Sequence, residues 1–578
     1  TAFCNVPLTL PSHTSMLTGL LPPEHGLRLN SRGSLKDNVP MLSELFSQSG
    51  YRTAAFVAAP VLDARYGLDR GFEVYDDEID IRTAAGEHSD TIYRRGDIMA
   101  ERSAIWMKQQ GGNGRFFCWV HFFDPHYPYY THSTIFGDKF EKAPYDAEIA
   151  FTDIQVGKLM KALDQNGLKD DTLVIIVGDH GESLQADPHF EPRPHHGYML
   201  YDPTIHVPMI FNLPRELKPG SRVAGPVSLI DLFPTIPAIA GIGPAPSSSG
   251  QNLLRLLKKK DRITGSVYAE TLLPSSFGWG RQRMVIADNW KYIESPVEEL
   301  YNLAADPLET ENLAKEETGQ LQELRRLLLS RSDRMKIGET DKVKLTPKDA
   351  RAIQSLGYAG GGVEIETGLP DELSEKKDIK NMLPLLRESE RAQKLMQKQK
   401  FAEALPIWDS ILEKSPETMT FRVLHASTLM QTGKTKEAEQ KLRELLTETD
   451  EDPGKANMKH IVLNNLAYCL SRMGKYEEAM PYIKEALGRQ PNQGTYHHTL
   501  ATIFAGLGNK SKALLAARMA FRLDPANAEH LIYCARMEKE NGNIDKAKQI
   551  LEIVLEAQFP NHFKKEAEQL LKTVLNTQ

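Results

Sequence analysis

Over its first 210 residues the chain alternates apolar runs short enough for strands with stretches whose apolar positions recur at helical spacing. The clearest run is Leu173 to Val177, LVIIV, rich in β-branched residues and leading directly into Gly178-Asp179-His180-Gly181-Glu182. It predicts a buried parallel strand ending in a turn that carries a carboxylate and an imidazole. Phe116 to Val120, FFCWV, predicts a second strand, followed by His121, Asp124 and His126. Residues 41–58 read as a helix and then a strand, and Ile149, Val156, Leu159, Met160 and Leu163 mark one face of a helix between Tyr145 and Gly167. Ser15 to Leu20 reads as the opening turns of a helix stopped by Gly19 and Pro22-Pro23, with Thr9 ahead of its N-terminus.

Beyond Ala314 the pattern changes. Residues 315–335 form a charged amphipathic stretch, and SLGYAGGG at 355–362 opens a Gly-rich, acidic linker. From there on the chain is periodic. Ala404, Ala438, Ala479, Ala513 and Ala547 recur at intervals of 34, 41, 34 and 34 residues, and Gly433, Gly474, Gly508 and Gly542 keep step with them. Ala392, Ala426, Ala467, Ala501 and Ala535 each lie twelve residues earlier, where two helices must approach closely. This matches the 34-residue tetratricopeptide pattern in five repeats of two helices, with the extra residues of the long interval placed in TETDEDPG at 447–454. Stacked repeats leave a concave groove, so the partner implied is a protein or peptide. Bracing or dimerising the rest of the chain is the competing role.

Composition narrows the class. A chain of 578 residues exceeds what one hydrophobic core serves, and 41% apolar with 25% charged residues is a globular balance. The net charge of −7 comes without a basic stripe, which excludes a nucleic-acid partner, and no apolar run is long enough to span a membrane. Cys4, Cys118, Cys469 and Cys534 show neither zinc spacing nor a disulfide framework.

Candidate chemistry gathers at the strand ends. Asp179 and His180 offer one oxygen and one nitrogen ligand to a divalent cation, or simply close a turn. His126 follows a strand end in the same manner, and His195-His196, about fifteen residues after the Asp-His pair, offer further ligands, phosphate-binding groups or solvated loop residues, with a site role favoured for His196. A hydroxyl near a helix N-terminus, as at Thr9, is well placed to act on an anion, because free N–H groups and the helix dipole point at it.

Taken together, Thr9-Leu-Pro11-Ser12-His13, Leu17-Thr18-Gly19, DPHYPY at 124–129, GDHGESL at 178–184, and His196-Gly197 followed by LYDPTIHVP to 208 resemble the sulfatase family of the alkaline phosphatase superfamily. Trp290 to Ala314 resembles that family's C-terminal signature. The resemblance implies an α/β fold with a mostly parallel sheet between helices and a smaller subdomain near 265–314. It implies Thr9 as nucleophile and metal ligand, and Asp179 and His180 as metal ligands. His126 and His196 would bind ester oxygens, protonate the leaving group or hold a second ion, and His13 and Asn30 would contact the substrate. Family members that cleave sulfate esters carry Cys or Ser where this chain has Thr9, matured to formylglycine, and Asn where it has His180. Threonine cannot become that aldehyde, so no formylglycine is expected. The resemblance then favours the phosphoryl-transfer branch, in which a metal-bound Thr hydroxyl attacks phosphorus. Histidine ligation favours Zn²⁺ or Mn²⁺ over Ca²⁺. The family's further acidic ligand comes from a strand ahead of residue 1, and nothing between Thr1 and Thr9 is acidic, so a weakened metal site is expected.

The reading is an α/β alkaline-phosphatase/sulfatase-like catalytic domain over 1–345, a linker over 346–384, and an all-α tetratricopeptide-repeat solenoid over 385–578. Its function is metal-dependent hydrolysis or transfer of phosphate, phosphonate or sulfate esters, on a small molecule or a polymer. The alternative is an inactive sulfatase-like platform whose repeats recruit partner proteins. The compartment is not fixed by the sequence.

Overall fold

The computed structural model describes residues 1–30, 33–78, 93–109, 114–184, 189, 196–223, 225–259, 265–341, 343, 373–525, 527–557, 559 and 561–575. The glycine-rich part of the linker lies outside them. The chain divides into two compact units, one ending at Val343 and including the segment up to Lys380, the other taking the chain from Asn381 onward.

In the first unit, strand β1 (Ala2–Phe3) delivers the chain into helix α1 (Thr9–Thr18). Thr9 is the first residue of that helix rather than a residue ahead of it, so the expected start near Ser15 is corrected. Pro11 misleads the reading of the sequence: in the first turn a proline gives up an N–H that has no intrahelical partner anyway. All ten residues of α1 are buried, and the helix ends at Gly19 in the left-handed conformation, φ 68°.

The sheets are mixed. Strands β2 (Arg52–Phe56), β3 (Val74–Asp76) and β4 (Phe116–Val120) pair in parallel, with β2 in the centre. Strand β5 (Val174–Val177) pairs antiparallel with β7 (Met209–Asn212), so the LVIIV run is not the buried parallel strand its composition predicts. The intervening chain returns to the same end of β5, where Gly178 N–H donates to Pro208 O at 3.1 Å, and this forces the opposite direction. The cross-strand neighbours Ile176 and Ile210 are 38% and 54% exposed. Between them in sequence, β6 (His206–Val207) runs antiparallel to β1, whose other edge takes β8 (Val227–Ser228) in parallel. Through β1 the nucleophile candidate on α1 is tied to the chain just before β7.

The smaller subdomain is a four-stranded antiparallel meander, β9 (Ser266–Thr271), β10 (Gln282–Ala287), β11 (Trp290–Glu294) and β12 (Glu299–Asn302). Tyr268, Val285, Tyr292 and Leu300 bury one of its faces against Leu324 and Leu328 of the helix Thr318–Arg334.

The second unit is helical throughout its described residues. Five antiparallel helix pairs run from Ile379–Gln397 with Phe401–Lys414 to Ala528–Glu540 with Ile544–Glu556, and a single helix Asn561–Leu575 follows. Both alanine series, from Ala392 to Ala535 and from Ala404 to Ala547, are fully buried where helices touch. Gly433, Gly474, Gly508 and Gly542 take φ of 85°, 75°, 74° and 80° in the turns between paired helices, a region that favours glycine. The extra residues of the long interval extend the helix Thr435–Glu451 and add a 3₁₀ turn, Pro453–Met458.

Candidate active site

The site is assembled where the N-terminus of α1 meets the carboxyl end of β5. Ser12 Oγ donates to Asp179 O at 2.5 Å, and His13 Nδ1 donates to Thr9 O at 2.8 Å while lying 3.6 Å from Asp179 Oδ2. These contacts lock the first turn of α1 onto the Gly-Asp-His-Gly turn. Gly181 is required there, because a Cβ would meet Pro203 O at 2.1 Å. Thr9 Oγ1 stands 3.4 Å from His180 Nε2, and Asp179 Oδ2 stands 3.6 Å from the same nitrogen. The second ring nitrogen, Nδ1, donates to Gly181 O at 2.8 Å, so the Nε2 lone pair faces Thr9.

Around this core four more expected residues find places. Asn30 Oδ1 accepts the N–H of Leu10 at 2.9 Å, next to Thr9, while its buried Nδ2 has no hydrogen-bond partner among the described residues. His126 donates from Nδ1 to Tyr127 O at 2.5 Å and lies edge-on to His196, ring centroids 5.2 Å apart. His196 lies 4.3 Å from the His180 ring. His13 is turned inward, its ring against Trp119 and His121, so the structure gives it a role in holding α1.

Two residues outside the expected set join the cluster. Glu182 Oε1 lies 3.2 Å from His196 Nδ1 across a buried ion pair. His121 accepts the N–H of Ala58 at Nδ1, 3.2 Å, and packs edge-on to His13. Glu182 sits in the GDHGE run itself, and a carboxylate two residues beyond a candidate ligand was the available signal.

Electrostatics separate the roles. Burial raises the Asp179 carboxyl, but His180, His13 and His121 outweigh it and hold it at about 2, a permanent anion. Burial lowers His180 despite Asp179 beside it, leaving a neutral ring suited to donating a lone pair. His126 and His121 are pushed down to about 3, chiefly by burial and then by a neighbouring imidazole, His196 and His13 respectively. His196 moves the other way: burial lowers it, yet Glu182 outweighs that and leaves it above the ordinary histidine value. Cys4 is pushed far up by burial and then by the charge of Asp179, so its thiol stays protonated.

Among the described residues, no group of three or more His, Cys, Asp and Glu side chains is arranged to hold a metal ion. The donor set closest to one is Asp179 Oδ2, His180 Nε2 and the Thr9 hydroxyl. Two ligands at about 2.0–2.1 Å from a tetrahedral cation stand roughly 3.3 Å apart, which fits the separations of 3.4 and 3.6 Å here.

Residues 1–242 match the family model Sulfatase, and residues 194–336 match N-sulphoglucosamine sulphohydrolase, C-terminal. Residues 393–534 match Psidin, N-terminal TPR repeats region. Curated relatives include Arylsulfatase K of Xenopus laevis, 29% identical over 208 residues, covering 34% of this chain and 38% of that protein. Arylsulfatase K of Homo sapiens is 32% identical over 184 residues, covering 30% and 33%. A sulfatase of Formosa agariphila is 21% identical over 392 residues, covering 54% and 75%. The chain thus spans about a third of the length of the arylsulfatases K it matches. Solved structures similar to it include Ps i-CgsB in complex with k-i-k-neocarrahexaose, at 18% identity, 62% of this chain, 90% of that chain and a TM-score of 0.49. The phosphonate monoester hydrolase SpPMH from Silicibacter pomeroyi is another, at 19% identity, 58%, 88% and 0.45.

Proposed function

We propose that the N-terminal unit hydrolyses or transfers phosphate or phosphonate monoesters, and sulfate esters less well, with Thr9 as nucleophile. The observation that carries this reading is the position of Thr9 Oγ1, 3.4 Å from the lone pair of a neutral His180 whose other neighbour is the anionic Asp179. Asp179, His180 and Thr9 would hold a divalent cation, with Zn²⁺ or Mn²⁺ preferred by the imidazole, and such an ion lowers the pKa of a hydroxyl and offsets charge on the ester oxygens.

The remaining roles follow from the side chains themselves. The Thr9 hydroxyl gives up its proton to solvent, its oxygen bonds to the ester phosphorus or sulfur as the bond to the leaving oxygen breaks, the leaving alkoxide takes a proton from His196, and the group carried on Thr9 passes to water or another alcohol. His196, kept protonated more readily by Glu182, is the proton donor to the leaving oxygen. His126, neutral at physiological pH, is a hydrogen-bonding partner for the ester oxygens. Asn30 Nδ2 is a buried donor beside the α1 N-terminus, suited to an oxygen of the transferred group. A thiol-derived aldehyde has no place in this scheme, since Thr9 occupies the nucleophile position and Cys4 donates its Sγ–H to Thr204 O at 3.9 Å. For the second unit we propose a peptide or protein partner in the groove of its repeats.

The test is turnover of aryl phosphate, phosphonate and sulfate esters by the full chain, with metal content measured on the same samples. Wild type turns over the phosphorus esters, Thr9→Ser retains part of that activity, and Thr9→Ala and Asp179→Ala abolish it. Turnover that survives Thr9→Ala removes Thr9 from the reaction. No turnover of any ester and no bound metal favours an inactive platform that recruits partners.

A further inference from the structure

The four strands of the small sheet each send one polar side chain to the same short stretch of chain, the residues directly after His196. Thr271 of β9 donates its hydroxyl to Gly197 O. Gln282 of β10 accepts the N–H of Leu200 at Oε1, 3.1 Å. Lys291 of β11 contacts Asp202 Oδ1 at 2.9 Å, and Glu299 of β12 accepts the Tyr201 hydroxyl at 2.6 Å. Glu309, just beyond the sheet, accepts the N–H of Asp202 at 2.6 Å and pairs with Lys291 at 2.5 Å.

This convergence follows from strand periodicity and register. Cross-strand partners share a face: Thr271 stands opposite Gln282, Ile286 opposite Lys291, and Lys291 opposite Tyr301, two residues from Glu299. Counting in steps of two along each strand puts all four polar residues on one face. On the other face Tyr268, Val285, Tyr292 and Leu300 pack on the helix Thr318–Arg334, beside the paired Arg283 and Glu294. Thr271, Gln282 and Lys291 are fully buried and Glu299 nearly so, which makes each contact costly to lose. A sheet that needed only to pack against this segment would do so with apolar residues. Four polar contacts, to a carbonyl, an amide, a hydroxyl and a carboxylate in sequence, fix its register instead.

We propose that these four polar side chains are a template that sets the position of the His196 imidazole, with Thr271 and Gln282 as its positioning residues. The inference rests on the reading of His196 as the proton donor, and adds to it the part of the molecule that places that ring. His196 has Glu182 on its ring and the Thr271 contact on the carbonyl of the very next residue, so side chain and adjoining backbone are each held. Misplacing a catalytic group by about 1 Å costs on the order of 10²-fold in rate.

The test compares Thr271→Val, Thr271→Ser and Gln282→Met with Val285→Ala, which loosens the opposite face of the same sheet without touching the segment. Hydrogen exchange of the peptide covering residues 197–202 is read first, because it needs no turnover. Thr271→Val and Gln282→Met raise its exchange, Thr271→Ser restores protection, and Val285→Ala leaves it as in wild type. Unchanged exchange in Thr271→Val and Gln282→Met overturns the template, whatever the enzyme does. Where the segment is released, kcat for an alkyl phosphate, whose leaving group needs the proton, falls on the order of 10²-fold with KM held within about twofold. A released segment with unchanged kcat shows that the sheet does not place a catalytic group. A wild type without turnover defeats the functional reading alone, and the exchange data still decide the template.

Discussion

Replacing Lys291 with methionine removes the one cation in a buried triad. Lys291 and Glu309 have fully buried side chains, at 2.5 Å from each other, and Asp202 Oδ1 lies 2.9 Å from the same ammonium. Methionine fills nearly the same volume, so the cost is electrostatic. Breaking a buried pair by deleting one partner costs about 3–5 kcal/mol, because the surviving charge keeps its desolvation penalty. The Glu309 carboxyl already sits at about 7, raised by burial even with Lys291 present, so it has little further margin as an anion. For a unit of roughly 340 residues the unfolding entropy is about 0.7 kcal/mol per kelvin, and the expected loss is about 4–7 °C in Tm. Lys291→Met with Glu309→Gln removes the stranded charge, keeps an acceptor for the Asp202 N–H, and recovers more than half of the loss. Scanning calorimetry of the full chain reads both variants, the relevant transition being the one that a substitution in the repeat unit leaves in place. Lys291→Met as stable as wild type, or a double variant no better than the single one, refutes the argument from charge burial.

Other consequences are simpler to state. In the repeat unit, Gly506→Ala places a Cβ 2.2 Å from the Tyr476 ring, so it costs about 1–3 kcal/mol in urea unfolding and lowers only the repeat unit's transition. The Asp231 carboxyl is raised to about 6 by burial, against the opposing N–H groups of Gln251 and Ser228. A carboxyl raised in the fold above its unfolded value of 3.8 favours the folded state as it takes up its proton. Its contribution therefore improves by about 1 kcal/mol as pH falls from 7 to 5, and Asp231→Asn flattens that segment of the stability profile measured by urea titration. Replacing His196 with Gln slows alkyl phosphate turnover far more than turnover of nitrophenyl phosphate, whose leaving group needs no proton; equal losses on both substrates remove His196 as the proton donor.

How far the sequence carries depends on the range of the interaction. Spacing read from Ala404 to Ala547 locates every described repeat pair, because each repeat contacts mainly its neighbours. The GDHGE turn was legible because chemistry and strand end are contiguous there. The start of α1 was not, since Pro11 carries the same letter whether it opens a helix or breaks one. The direction of β5 follows from its pairing with β7, which begins 32 residues beyond its end, and the LVIIV composition is silent on that. Glu182 and His196 lie 14 residues apart, and Thr271 meets Gly197 across 74 residues, so their pairing is visible only in the fold. The helix Asn561–Leu575 falls outside the repeat spacing and packs an apolar face that includes Ala567 and Val574 on the preceding helices.

The central claim is that the Thr9 oxygen carries the transferred group, and rapid acid quenching of the full chain during turnover of aryl phosphate, followed by mass mapping of its peptides, tests it most directly. A phosphoryl adduct on Thr9, absent from Thr9→Ala together with all turnover, is the predicted result. Turnover with no adduct on Thr9, or with the adduct on another residue, would contradict it.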